Sequence, residues 1–220
     1  MICIPITATT MRNALLDISK AEKLADIIEL RIDYIKDLDL KKLLSKPKKP
    51  VIVTCRKRAE AGRFKGTEME RLSLLKQAIL LNADYVDIEL SVGRKTIKQL
   101  IKNKRKTKII ISTHNFRCTD KNLAKALDKS IKLNADIVKI AAKANYIYDN
   151  IKMFELIKIA KNKNKPIIAL CMGEKGRLSR ILAPMFGSYL TFASLSKGKE
   201  SASGQITVKQ LKKIWQDMGV

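Results

Sequence analysis

The chain has one histidine and one tryptophan, aromatics make up 5% of it, and 45 basic residues outnumber 21 acidic ones. Each shortage removes a class of function. With His114 as the sole imidazole, a zinc site would need cysteine or carboxylate ligands, and no suitable spacing appears, so no metal is expected. The four cysteines, Cys3, Cys55, Cys118 and Cys171, form no CxxC pair. Three of them lie in apolar strand-like runs, and they read as reduced small hydrophobes of a cytoplasmic protein. No run of 18 apolar residues exists, so no transmembrane helix is expected. Met1 to Ile6 opens directly as a strand, without a basic region or cleavage site, so no secretory signal is expected either. No GxGxxG follows the first strand, which weakens a dinucleotide site, and no GxSxG accompanies His114, which argues against a serine triad.

What is abundant is positive charge, +24 at neutral pH over 220 residues. Nucleic-acid binding is one reading of that charge. A lysine-rich compositional bias is the other. The lysines are scattered over many helices, and the few aromatics are not interleaved with them as a base-stacking platform requires. Nucleic acid is therefore not expected as the main partner.

Strand-like and helix-like runs alternate from end to end. Strands are predicted at 2–7, 27–33, 51–56, 85–90, 108–113, 136–142, 166–171 and 189–194. Helices are predicted at 11–23, 38–45, 67–82, 95–103, 120–133, 148–162, 176–186 and 207–218. Thr67 and Glu70 have the spacing of a capping box, and Pro184 should end or kink its helix. Eight strand–helix units without a linker or repeat predict one domain over 1–220, a parallel (β/α)8 barrel, with a doubly wound open sheet as the alternative.

The chain is organised around Asp136 to Ala142, an apolar run interrupted by Lys139. Side chains alternate along a strand, so Lys139 shares a face with Ile137 and Ala141, and Val138 and Ile140 take the other. A buried amine is disfavoured in its charged form, and a neutral amine attacks carbonyls, so a Schiff-base lysine is one reading. A lysine at a strand end reaching out to water is the other. Polar residues collect near the ends of the remaining strands, where barrels of this kind carry their active sites. Glu29, Arg31 and Asp33 share one parity, although a half-exposed antiparallel strand would alternate in the same way. Asp87 and Glu89 share one parity on the next strand but one, and Arg56 ends the strand between. His114 ends the strand beside Lys139, close enough for the two to meet, and imidazole is the natural proton shuttle near neutral pH.

These residues, in order, resemble the type I 3-dehydroquinases. The likeness is carried by Glu29-Leu-Arg-Ile-Asp33, Thr54-Cys-Arg56 with Glu60 following, Asp87-Ile-Glu89 and Ser112-Thr-His114-Asn-Phe116. It continues through Val138-Lys-Ile-Ala141, Gly176-Arg-Leu-Ser-Arg180, Phe186-Gly-Ser188 and Ser201-Ala-Ser-Gly-Gln205. The resemblance implies a (β/α)8 barrel that dehydrates 3-dehydroquinate through an imine, without metal or diffusible cofactor. Lys139 would form the imine, His114 would move the protons, and Glu60 would orient His114. Arg180 would hold the substrate carboxylate, Glu29, Arg31 and Arg56 the ring hydroxyls, and Ser201 and Gln205 would close over the ligand. A homodimer is also implied. The family's closing motif has proline where this chain has Ser203, which predicts a looser loop before binding. A class I aldolase or transaldolase would place a lysine similarly but needs a phosphate grip, for which Met172 to Arg177 is the nearest candidate.

Overall fold

The computed structural model describes residues 1–119 and 122–220. Eight strands run parallel: β1 (Ile2–Ile6), β2 (Ile27–Arg31), β3 (Val51–Thr54), β4 (Tyr85–Glu89), β5 (Lys108–Asn115), β6 (Ile137–Lys143), β7 (Ile167–Met172) and β8 (Thr191–Phe192). They are ordered β7-β6-β5-β4-β3-β2-β1-β8, so β1 to β7 each lie beside their sequence neighbours and β8 pairs with β1. The helices between and after them are α1 (Met11–Ala21), α2 (Leu40–Ser45), α3 (Glu68–Leu80), α4 (Arg94–Lys102), α5 (Asn122–Lys132), α6 (Asp149–Asn162), α7 (Arg177–Leu182) and α8 (Val208–Asp217). This is the expected (β/α)8 barrel. The first two residues of the helix predicted from Asp120 lie outside the described residues. Among those described, no helix is long and apolar enough to cross a membrane.

Local chemistry sets the element ends. Thr67 and Glu70 form the predicted capping box, and Thr207 with Gln210 forms a second one that the sequence reading passed over. Asp39 caps α2 through its carboxylate. Pro184 has no N–H to give the Arg180 carbonyl, which accepts from Thr191 Oγ1 at 2.7 Å instead. The helix accordingly stops at Leu182, short of the predicted 186.

The predicted strand at 189–194 shrinks to two residues. β8 hydrogen-bonds β1, but towards β7 only Tyr189 N reaches a backbone carbonyl, that of Ile167, at 2.7 Å. Ser188 Oγ fills the seam, accepting weakly from Ala169 N and donating to Leu190 O. Alternation then sorts the strand residues into two cores. Val86, Ile88, Ile109, Ile111, Val138 and Ile140 face outward and pack on Leu75, Ile97, Leu127, Met153 and Ile157 of the helices. Ile27, Ile52, Tyr85, Ile110, Ile137 and Ile168 face inward with Cys3 and Leu190 and plug the amino-terminal half of the barrel. Burying an Ile or Leu contributes about 1.5–3 kcal/mol, so these two layers hold the polar half rigid.

Candidate active site

Two residues further along β2 to β6, the same inward face turns polar. Above Ile27 stand Glu29 and Arg31, above Ile52 stand Thr54 and Arg56, above Tyr85 stand Asp87 and Glu89, and above Ile110 stand Ser112 and His114. Above Ile137 stand Lys139 and Ala141, as the alternation requires. All nine residues singled out in the sequence, Glu29, Arg31, Arg56, Glu60, His114, Lys139, Arg180, Ser201 and Gln205, line one cavity of about 400 Å³ at this end of the barrel. That size suits a small-molecule site.

Lys139 is buried. Its Nζ lies 3.0 Å from Asp87 Oδ2 and 3.2 Å from Glu29 Oε1, and 4.4 Å from the centre of the Phe192 ring. Its direct partners are carboxylates, and Arg56 is committed to them as well. The Arg56 guanidinium reaches Asp87 at 2.8 Å, Glu89 at 3.1 Å and Ser112 Oγ at 2.8 Å. Burial alone would push Arg56 down, and the charges of Asp87 and Glu89 outweigh it and hold the group above its ordinary value. Asp87 shows the converse. Burial would raise it, but Arg56 and then Lys139 keep it far below the usual carboxylate range.

Arg31 is clamped bidentately by Asp33, at 2.9 and 2.8 Å. Asp33 sits in a 3-10 turn just past β2, not in the strand as predicted. Thr54 Oγ1 donates to Glu29 at 2.9 Å, which fixes the carboxylate that faces Lys139.

His114 lies in β5, one residue beyond the predicted end of that strand. Its Nδ1 donates to Glu60 Oε2 at 2.8 Å, so Nε2 is the nitrogen left for a ligand. Burial and the nearby Arg56 charge lower its pKa to about 4, only partly offset by Glu60. The imidazole is therefore neutral at physiological pH. Burial would raise Glu60, and the hydrogen bond from His114 together with Ser91 and the charge of Arg56 holds it below its ordinary value. It sits on a one-turn 3-10 helix at Arg58–Glu60, steadied by Ser91 Oγ at 2.7 Å. Gly62 makes this loop possible, since a Cβ there would lie 1.8 Å from the Arg56 carbonyl oxygen.

Arg180, on α7, closes the opposite wall. Among the described residues no carboxylate pairs with it. Its Nη2 donates to the Ser203 carbonyl at 3.2 Å, and its Nε has no partner. Burial pushes this guanidinium down to about 10. The loop over the mouth folds on itself through Ser201 N to Gln205 Oε1 at 2.8 Å and Gln205 Nε2 to Ser201 Oγ at 3.0 Å. It docks where Gly173 N donates to the Ser203 carbonyl at 3.1 Å. Gly204, at φ 79°, presses so closely on Gly173 that a Cβ would come within 2.1 Å of its oxygen. Ser203 makes these contacts through its carbonyl, which a proline would also present.

The sequence reading left four contributors without a role. Asp87 and Glu89 were noted for parity but given no role, and they line the back of the site as counterions. Arg71 on α3 is buried against Glu89 at 2.8 Å and Glu68 at 2.8 Å. A charged residue in line with the buried Leu75 and Ala78 was the available signal. Phe192, beneath the amine, had none. Among the described residues no group of three or more His, Cys, Asp or Glu is arranged to hold a metal ion.

The protein-family model described as type I 3-dehydroquinase matches residues 2–220. A 3-dehydroquinate dehydratase of Methanocaldococcus jannaschii is 42% identical over 224 aligned positions, covering 99% of each chain. A bifunctional 3-dehydroquinate dehydratase/shikimate dehydrogenase of Arabidopsis thaliana is 40% identical over 96% of this chain, which spans only 36% of that longer protein. Among solved structures, type I 3-dehydroquinate dehydratase from Clostridium difficile superposes with a TM-score of 0.88 at 27% identity, over 99% of this chain and 91% of that one. Barrel, residue order and full-length likeness agree, and the chain belongs to the type I 3-dehydroquinase family.

Proposed function

We propose that the protein is a 3-dehydroquinate dehydratase that removes water from 3-dehydroquinate through an imine on Lys139. The observation that carries this reading is the pairing, in one cavity, of a buried lysine beside a neutral imidazole with a buried guanidinium that lacks a counterion among the described residues. The substrate carboxylate fits Arg180, because guanidinium takes carboxylate bidentately and a buried cation gains most from a partner. The ring hydroxyls face Glu29, Arg31 and Arg56. The Lys139 amine attacks the ketone carbon, and the carbinolamine loses water to give the imine. A protonated imine withdraws electrons from the adjacent carbon, where His114 Nε2 takes a proton. The electron pair flows to the imine nitrogen, then returns to expel the neighbouring hydroxyl, which leaves as water with the proton His114 holds. Hydrolysis of the imine frees the lysine, so the net change is the loss of one water. Glu60 keeps Nδ1 protonated and Nε2 basic. Ser201 and Gln205 exclude solvent while the imine exists.

In this reading the enzyme is a carbon–oxygen hydro-lyase, cytoplasmic, acting as a homodimer on a small-molecule substrate, with neither nucleic acid nor membrane as a partner. The test is borohydride reduction in the presence of 3-dehydroquinate. A ligand-sized mass increase on the peptide containing Lys139 is expected. An adduct on another lysine, or none while turnover is robust, would overturn the assignment.

A further inference from the structure

Glu60 is held through both of its carboxylate oxygens. Oε2 accepts from His114 Nδ1 at 2.8 Å, and Oε1 accepts from Ser91 Oγ at 2.7 Å. Ser91 Oγ in turn accepts from Lys57 Nζ, which also lies 3.6 Å from Glu60 Oε1. Ser91 belongs to the 3-10 turn Leu90–Val92, which follows Glu89 of β4 directly. Lys57 precedes the turn that carries Glu60, and its carbonyl accepts from Glu60 N at 3.0 Å and from Gly62 N at 2.9 Å. The Lys57 N–H donates to Glu89 Oε1 at 3.2 Å. The loops after the neighbouring strands β3 and β4 are thus pinned to each other at the carboxylate that faces the imidazole.

We propose that Ser91 and Lys57 are positioning residues for proton transfer, which lock Glu60 so that His114 keeps its proton on Nδ1 and offers Nε2 to the substrate. Their effect on turnover rests on the imine reading above, whereas the directions of the hydrogen bonds do not. Those directions are forced. An ammonium only donates, so Lys57 takes a lone pair of the Ser91 hydroxyl and leaves its hydrogen for Glu60. An ionised carboxylate only accepts, so the hydrogen between Glu60 and the imidazole sits on Nδ1. The terminal torsion of a glutamate is broad and roughly two-fold. A carboxylate held by His114 alone is therefore free to turn, and Ser91 fixes the second oxygen and with it the plane of the first. Ser91 is exposed and Lys57 half-buried, so neither is needed to fill the core. Both stand outside the substrate cavity and act on the base through Glu60.

His114 is the only histidine in the chain, so the ring nitrogens of the isotope-labelled protein give a single set of NMR signals that reads the tautomer directly. At neutral pH the wild type should carry the proton on Nδ1. Ser91→Ala and Lys57→Met should each show a mixture of the two tautomers. Ser91→Ala should also lower kcat roughly tenfold, the worth of a hydrogen bond to a charged group, with KM unchanged. Ser91→Thr keeps the hydroxyl and should restore both readouts. Ser91→Ala with the tautomer and kcat of the wild type overturns the lock. A Ser91→Thr variant as impaired as Ser91→Ala also overturns it, because the loss then belongs to shape and not to the hydroxyl. A rise in KM with kcat unchanged overturns it as well, and a wild type protonated on Nε2 overturns the bond directions. If the tautomers behave as expected but the chain neither turns over 3-dehydroquinate nor is trapped on Lys139, the imine reading fails and the lock stands.

Discussion

The two walls of the cavity treat charge in opposite ways. On the wall built by β2 to β6, buried ions are matched: Arg31 with Asp33, Arg56 with Asp87 and Glu89, Arg71 with Glu89 and Glu68, and Lys139 with Asp87 and Glu29. On the wall built by α7 and the closing loop, Arg180 has, among the described residues, a single backbone carbonyl for company. A matched network holds its geometry whether or not a ligand is present. An unmatched buried cation costs stability until an anion arrives, so it converts that cost into affinity for one class of group. In the proposed function the first wall positions the chemistry, and the second selects for a carboxylate.

The largest test acts on the first wall. His114→Ala should lower kcat by ~10²–10⁴-fold, the usual contribution of a positioned proton-transfer group. KM should change far less, and borohydride should still trap substrate on Lys139. Near-normal turnover in this variant would move the base elsewhere, with Glu60 the first candidate.

A matched pair of variants then breaks the comparison directly. Arg56→Met strands Asp87 and Glu89 in the interior and should cost about 3–5 kcal/mol of stability, read as a fall in Tm. Arg180→Met removes a charge that has no counterion and should leave Tm equal or higher, while Arg180→Lys raises KM by a loss on the order of 2–4 kcal/mol. Equal Tm losses in the two methionine variants would show that the walls do not differ as described.

Much of the first wall was legible in the sequence, because isolated charges in apolar runs with a period of two must face a common interior. Lys139, His114, Glu29, Arg31 and Arg56 all announced themselves that way. Their pairings did not. Lys139 meets Asp87 and Glu29 across 52 and 110 residues of sequence, distances that barrel closure sets and local pattern does not carry. Glu60 lies in a loop without periodicity and was found by resemblance alone. So were Arg180, Ser201 and Gln205, whose helix and loop are too short to show a face. The eighth strand was predicted too long because its apolar run serves the barrel floor and not a second ladder.

A further effect is on pH. The His114 pKa is held at about 4 in the folded protein, against about 6.5 unfolded. Between those values the unfolded chain binds more protons, so stability is full above about 6.5 and declines as pH falls through 4, by on the order of 3 kcal/mol in all. Because the base must be neutral, the acid limb of kcat/KM should bend nearer 4 than 6.5. That limb should disappear in His114→Ala. A limb at 6.5 that survives the substitution would assign it to another group.

The apolar floor under Lys139, from Cys3 and Ile27 round to Ile168 and Leu190, closes the barrel behind the amine, so the proposed chemistry is reached from the carboxyl-terminal mouth. In the proposed mechanism substrate, product, the water shed when the imine forms and the water that later cleaves it would all share that passage. The order of events is then enforced by traffic: nothing can enter from behind to hydrolyse the imine early, and release of product waits on the same opening that admits the next molecule. The closing loop thus serves as a turnstile as well as a cover.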